Sequence, residues 1–387
     1  MQIAEITEAA NKGVAKAQYE LAEMHALGQG VTKDFQEAAS WYEKAARQGH
    51  VDAQYKLGQL FFLGRGVPQN LRNAAMWIDC AAEEGHCEAL YQAGLIRENG
   101  AGIEVDLPRA SQCYASAAEK GHHDAAFNLA LLYHQGRGIA QDINKAVYYY
   151  GQAADNGHPQ AQFNLALIYH QGAGIPRDPM RAAALYRLAA EAGFVTAQFN
   201  LALMLHQGDG VTPSIGEAYN FYRTAAENGH VTAQFILGRM YANGEGVGLD
   251  HRESCRWLQR AAEQGHMKAQ YELAIKLVRG EGVAKNSVLA ASWLGKAADQ
   301  GYIKAIYSLG QLFKQGDGVD RNLPFAMECF QKAAEDGHIE AQFCLGQMYQ
   351  NGEGTAKNLE EAAKWYAKAA KQGHNRALMH LSDLHDG

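Results

Sequence analysis

One period governs the chain. Written in rows of 36 residues, the sequence fills ten rows without a gap, starting at Ala17, Ala53, Ala89, Ala125, Ala161, Ala197, Ala233, Ala269, Ala305 and Ala341. A fixed repeat of this length restricts the chain to architectures in which each unit packs on its neighbours. The first 16 residues match the end of a row, and Ala377–Gly387 match the start of one. The organisation expected is a half-repeat cap over 1–16, ten repeats over 17–376 and a half-repeat cap over 377–387, with no boundary inside the array.

Each row reads as two helices. In helix A, positions 1, 5, 6 and 9 are apolar (Ala161, Leu165, Ala166 and Tyr169 in row five), which makes one stripe at helical spacing. Two glycines two apart follow in every row, Gly28 and Gly30 in the first. The first suits a left-handed residue that closes helix A. Position 15 is Val or Ile in nine rows and Thr355 in the last, and is read as a plug for the turn. Position 18 is Asp, Asn or Ser in all ten rows, from Asp34 to Asn358, and so caps the start of helix B. Helix B carries Ala38, Trp41, Tyr42, Ala45 and Ala46 or their equivalents and ends at a glycine such as Gly49 or Gly85. Two antiparallel helices cannot bury both apolar faces, so the next pair must cover them. The fold class expected is all-α: a right-handed α/α superhelical solenoid of tandem helix-turn-helix repeats.

The row "AQYELAEMHALGQGVTKDFQEAASWYEKAARQGH" closely resembles the Sel-1-like repeat family, relatives of tetratricopeptide repeats, and the resemblance covers almost the whole chain. Departures are local: Ala93 and Arg97 in row three, Lys276 and Leu277 in row eight, which marks those rows as softer joints. The resemblance implies a scaffold or adaptor that binds proteins. It further implies a bacterial chain in a host-interaction, envelope or secretion-associated role.

Composition excludes several other classes. A formal net charge of −7 argues against a nucleic-acid partner. No apolar run reaches the roughly 20 residues of a membrane helix, so no membrane insertion is expected. The opening "MQIAEITEAANKG" has neither a basic n-region nor an apolar h-region. It reads as cytoplasmic, or as periplasmic or secreted if a leader was trimmed. The six cysteines form no CxxC pair and no zinc spacing, so they read as free thiols, with a Cys80–Cys87 bridge left open.

The repeat frame filters tempting residues. All five tryptophans fall at position 25, a packing position. Eight histidines, among them His50, His158 and His374, fall at position 34, where Phe194 and Tyr302 stand in the other two rows. Phenylalanine cannot ligate a metal, so a ring packed in the inter-repeat turn is expected there. The glycine pairs lack the strand and the GKS or GKT of a phosphate loop. Cys87 beside His86 is adjacency in sequence, not nucleophile–base geometry.

One set is not shared by all rows. Rows four to six carry Phe127, Phe163 and Phe199 at position 3 and Asn128, Asn164 and Asn200 at position 4. They carry Leu131, Leu167 and Leu203 at position 7, His134, His170 and His206 at position 10, and Gln135, Gln171 and Gln207 at position 11. Positions 3, 7 and 10 share one helical stripe, and 4 and 11 lie beside it. By analogy with tetratricopeptide repeats that stripe lines a concave groove. Three readings stand: young duplicated rows, a partner-binding platform, and a metal site, which the absence of a repeating carboxylate beside the imidazoles disfavours. The flanking rows bring Arg97, Glu98, Arg239, Gln311, Lys314, Gln347 and Gln350 to the same face.

The function expected is a protein–protein interaction scaffold that binds a partner protein or peptide in the groove, with no catalytic residue, metal or cofactor. The alternative is a hydrolase-type enzyme with its site hidden in the groove. A third reading is regulatory, a His-rich groove that loses affinity on protonation.

Overall fold

The structure is a computed structural model that describes residues 3–385. Those residues form 22 helices and no strand. Ile3–Asn11 comes first, ten A/B pairs follow from Ala15 to Lys371, and Asn375–His385 comes last. Within a row helix A packs on helix B, and within each unit helix B packs on helix A of the next row. The fold is the all-α repeat solenoid expected from the period. The chain falls into two compact units, Met1–Phe194 and Val195–Gly387, a division that the unbroken period does not announce.

Local chemistry sets the helix ends. All ten position-18 side chains accept a backbone N–H of the first turn of helix B, as Asp142 does from Lys145 at 3.0 Å. Helix A closes on a left-handed glycine, and Gly28 (φ 75°) donates its N–H to the Met24 carbonyl. The second glycine of the pair has a different job. At Gly66 (φ 72°) an added Cβ would lie 2.1 Å from the carbonyl oxygen of Phe35, which begins helix B of the preceding row. Gly49 (φ 84°) is equally left-handed but has open space around it. Gly66→Ala is therefore expected to cost about 3–4 kcal/mol and Gly49→Ala only about 1–2, read from urea midpoints. Equal losses would show that the turn, not the close approach, demands the glycine.

The position-34 histidines do more than pack. In all eight rows Nδ1 accepts the backbone N–H of the position-1 alanine, from Ala53 to Ala377, at 3.0–3.4 Å. Each ring also lies against the position-3 aromatic of its own row, with centroids 4.2–4.7 Å apart. The imidazole is thus helix cap and inter-repeat wedge at once. Phe194 and Tyr302 keep the ring contact, but Tyr302 makes no side-chain cap.

Position 26 fills the core: Tyr42, Tyr114, Tyr150, Tyr186, Tyr222, Phe330 and Tyr366 are almost wholly buried. Four of the five tryptophans lie under a cation three residues on, as Trp41 does under Lys44 at 3.5 Å. The irregular rows are compensated. Arg97 is paired with Asp79 at 2.6 Å, and buried Lys276 lies 3.9 Å from Glu281. All six cysteines are free thiols, so Cys80 and Cys87 are not bridged.

Candidate functional site

The fifteen residues shared by rows four to six lie on helix A: His123–Gln135 and Pro159–Gln171 in the first unit, Val195–Gln207 in the second. Their phenylalanines, asparagines, leucines and histidines are half-buried, and Gln135, Gln171 and Gln207 are exposed. This gradation follows from helix geometry. Positions 1, 2, 5, 6 and 8 take the buried stripe, and positions 3, 4, 7 and 10 flank it, with position 11 outermost.

In the first unit the side chains converge on a buried tyrosine. Asn164 donates to the Tyr150 hydroxyl at 3.4 Å, and that hydroxyl lies 3.4 Å from His134 Nδ1. The His134 and His170 rings stand edge-on to Tyr150 and Tyr186, with centroids 6.0 Å apart. Phe127 lies flat against His158, and Phe163 meets Phe194 at 5.0 Å. Leu131 packs against the core of the unit.

The second unit treats the same letters differently. Phe199 stacks on His230 at 4.3 Å, and Asn200 is half-buried. His206 stands edge-on to Tyr222, but its Nε2 lies 3.0 Å from the Glu245 carboxylate. Leu203, His206 and Gln207 line a cavity of about 280 Å³ together with Tyr222, Ile236, Arg239, Met240 and Glu245. Burial and the nearby Glu245 carboxylate push the Tyr222 phenol up, so it remains a hydrogen-bond donor. Burial also raises the Glu272 carboxyl, which sits 3.9 Å from Arg239.

Two features escaped the sequence reading although their signals were present. Position 3 is aromatic in all ten rows, from Tyr19 to Phe343, so the phenylalanines belong to the repeat's own stacking. Position 10 also pairs with position 13 of the next row. His206 meets Glu245 and Glu98 meets Arg137, both 39 residues on, and Lys314 meets Glu353 at 3.0 Å. Of the flanking residues, Gln311 donates to the Tyr307 hydroxyl at 2.8 Å and to Cys344 Sγ at 3.3 Å. Among the described residues no cluster of three His, Cys, Asp or Glu side chains could hold a metal ion. No helix there is long and apolar enough to cross a membrane.

Tandem helix pairs, each with paired glycines after its first helix and a ring contact at its joint that is aromatic–imidazole in eight rows of ten, define the class: an α-helical repeat solenoid. The profile described as "Sel1 repeat" matches ten consecutive segments, from 15–50 to 339–374. The chain belongs to the Sel1 repeat family, whose members are typically protein–protein interaction scaffolds and generally not enzymes. Among solved structures it is similar to c5321, described as a protective antigen present in uropathogenic Escherichia coli strains displaying an SLR fold. That match has 34% identity, a TM-score of 0.87, and covers 99% of this chain and 82% of the other. A Sel1 repeat protein from Oxalobacter formigenes is similar at 29% identity and a TM-score of 0.60, covering 80% of this chain and 90% of the other. No curated protein matches the chain.

Proposed function

We propose that this chain is an interaction scaffold whose helix-A face receives an extended segment or a helix of a partner protein. The observation that carries the reading is the unused part of the rows-four-to-six set. Every row has an aromatic at position 3, whereas the half-buried Leu131, Leu167 and Leu203 are replaced by residues such as Glu23, Gln59 and Arg239 in other rows, and Gln135, Gln171 and Gln207 are exposed. Apolar surface beside amide and imidazole hydrogen-bonding groups suits a peptide, whose backbone and side chains need both. Phe127, Phe199, Asn164, His134 and His206 then serve to shape the platform, because they are held by Tyr150, Tyr222 and the inter-repeat rings. The likeness to a protective antigen of uropathogenic strains supports a bacterial chain in a host-contact, envelope or secretion-associated setting.

The test is a triple variant, Gln135→Lys, Gln171→Lys and Gln207→Lys, which alters only exposed positions. Its helicity and melting temperature are expected to stay at wild-type values, while affinity for a partner captured by the wild type falls about tenfold or more. Tyr148→Lys, at an exposed position of helix B, serves as the control and is expected to bind normally. Equal capture by all three proteins would sink the reading.

A further inference from the structure

Tyr222 lines the cavity of rows six and seven. It is fully buried, and among the described residues no group accepts from its hydroxyl. Four of the equivalent tyrosines are provided for. Tyr42 donates to the Glu23 carboxylate, Tyr114 to Glu98 at 2.7 Å, and Tyr366 to the Gln350 amide oxygen at 2.6 Å. Tyr150 is shared by His134 and Asn164. Row six lacks each of these solutions. Position 7 is Leu203 where row one has Glu23, and position 10 is His206, whose Nε2 is turned to Glu245. Position 4 of the following row is Ile236 where row five has Asn164. A buried hydroxyl without an acceptor is costly, and Tyr222 is among the residues that line the cavity.

The rest of the lining says what would complete it. Leu203, Ile236 and Met240 are apolar walls suited to an aliphatic stem. The Glu245 carboxylate can accept hydrogen bonds beyond that of His206. Arg239 faces Glu272 at 3.9 Å, so its charge is already offset. A ligand carboxylate would satisfy Tyr222 but would meet Glu245 and Glu272 with only Arg239 to balance them. A carboxamide meets both needs: its oxygen accepts from Tyr222 and its NH₂ donates to Glu245. Within the chain, Gln350 already serves a tyrosine in this way from position 10 of row ten.

We propose that the cavity bounded by Leu203, His206, Tyr222, Ile236 and Glu245 is a subsite for a glutamine side chain of a partner peptide lying on the helix-A face. This rests on the scaffold reading and adds the chemistry of the partner.

The full-length chain carrying ring-labelled tyrosine is titrated with N-acetyl-L-glutamine methylamide, up to tens of millimolar. The glutamate and leucine counterparts are titrated alongside. The Tyr222 ring signal is assigned by its absence from Tyr222→Phe. Glutamine is expected to shift it saturably, and the other two about fivefold more weakly or not at all. Ligand-observed saturation transfer then reads the variants. Tyr222→Phe is expected to lose probe binding while melting no lower than wild type, because the hydroxyl it removes is unpaired. Tyr366→Phe, which breaks a made bond, is expected to melt lower. His206→Gln supplies an internal amide oxygen, as Gln350 does, and is expected to exclude the probe. No saturable shift, glutamate binding as tightly as glutamine, or undiminished binding to Tyr222→Phe each overturns the subsite. A partner that needs the exposed glutamines yet binds Tyr222→Phe and His206→Gln like wild type would overturn the subsite and leave the scaffold reading standing.

Discussion

Tyr150→Ala is expected to destabilise the first unit by about 3–5 kcal/mol, the range for deleting a fully buried aromatic side chain. Tyr150 has no exposed surface, and it lies in one apolar cluster with Ala146, Ala153, Leu165 and Ile168. Its ring meets Phe127 at 5.9 Å and His134 edge-on at 6.0 Å, and its hydroxyl takes the Asn164 amide at 3.4 Å. Truncation therefore leaves a cavity at the joint of two rows and unpairs two polar side chains. Stability in a repeat array is set by nearest neighbours, so the loss should be local. Hydrogen exchange is expected to quicken in rows four and five before the rest of the unit, and the urea transition to broaden. Tyr148→Ala, two residues away and 60% exposed, should cost under about 0.5 kcal/mol. A Tyr150→Ala cost no larger than that of Tyr148→Ala would mean that position 26 is not what joins the rows.

Acidification should unlock the helix-A caps made by His158, His230, His266 and His338. A position-34 imidazole accepts through Nδ1, so protonating that nitrogen removes the cap. Burial holds His158, His230, His266 and His338 below the ordinary histidine value of 6.5. Nearby charges modify this: Asp124 and Glu340 pull upward on His158 and His338, whereas His123, Lys268 and Lys304 push His158, His266 and His338 further down. A depressed histidine is neutral in the folded chain where the unfolded chain would bind a proton. Stability from these four groups is thus fully present above pH 6.5 and declines as pH falls from there toward the lower folded values. Each lost cap is worth about 1 kcal/mol, so the effect accumulates along the array. Melting temperature is expected to drop clearly between pH 7.5 and pH 5. Replacing the four histidines by asparagine, a cap that does not titrate, should flatten the profile in that window. A profile equally steep in the asparagine variant would assign the pH dependence to other groups.

The fate of the rows-four-to-six set shows where sequence reasoning stopped. Its position on the outer part of helix A was legible, because period and helical spacing fix which residues share a face. The division of labour within it was not. Phe127 and Phe199 are engaged by His158 and His230 from the next turn. His134 and His206, identical in the repeat frame, face a tyrosine hydroxyl in one case and a glutamate in the other. That choice depends on what the following row offers at positions 4 and 13, Asn164 and Ala173 in one, Ile236 and Glu245 in the other. Likewise the histidine after the helix-B glycine was expected to pack, but its capping bond needed the direction of Nδ1 to be seen.

By itself the sequence determined the repeat, the helix pair, the turns and every helix-B cap. These are local matters: a glycine at positive φ, a carboxylate or amide before a first turn, an apolar stripe at 3.6-residue spacing. Tertiary structure alone decided which polar groups found partners. The Tyr42, Tyr114 and Tyr366 hydroxyls are satisfied, whereas the buried Tyr222 hydroxyl finds no partner among the described residues. A hydrogen bond requires two groups about 3 Å apart in the right orientation, and across a repeat interface that is fixed only when neighbouring helices have packed.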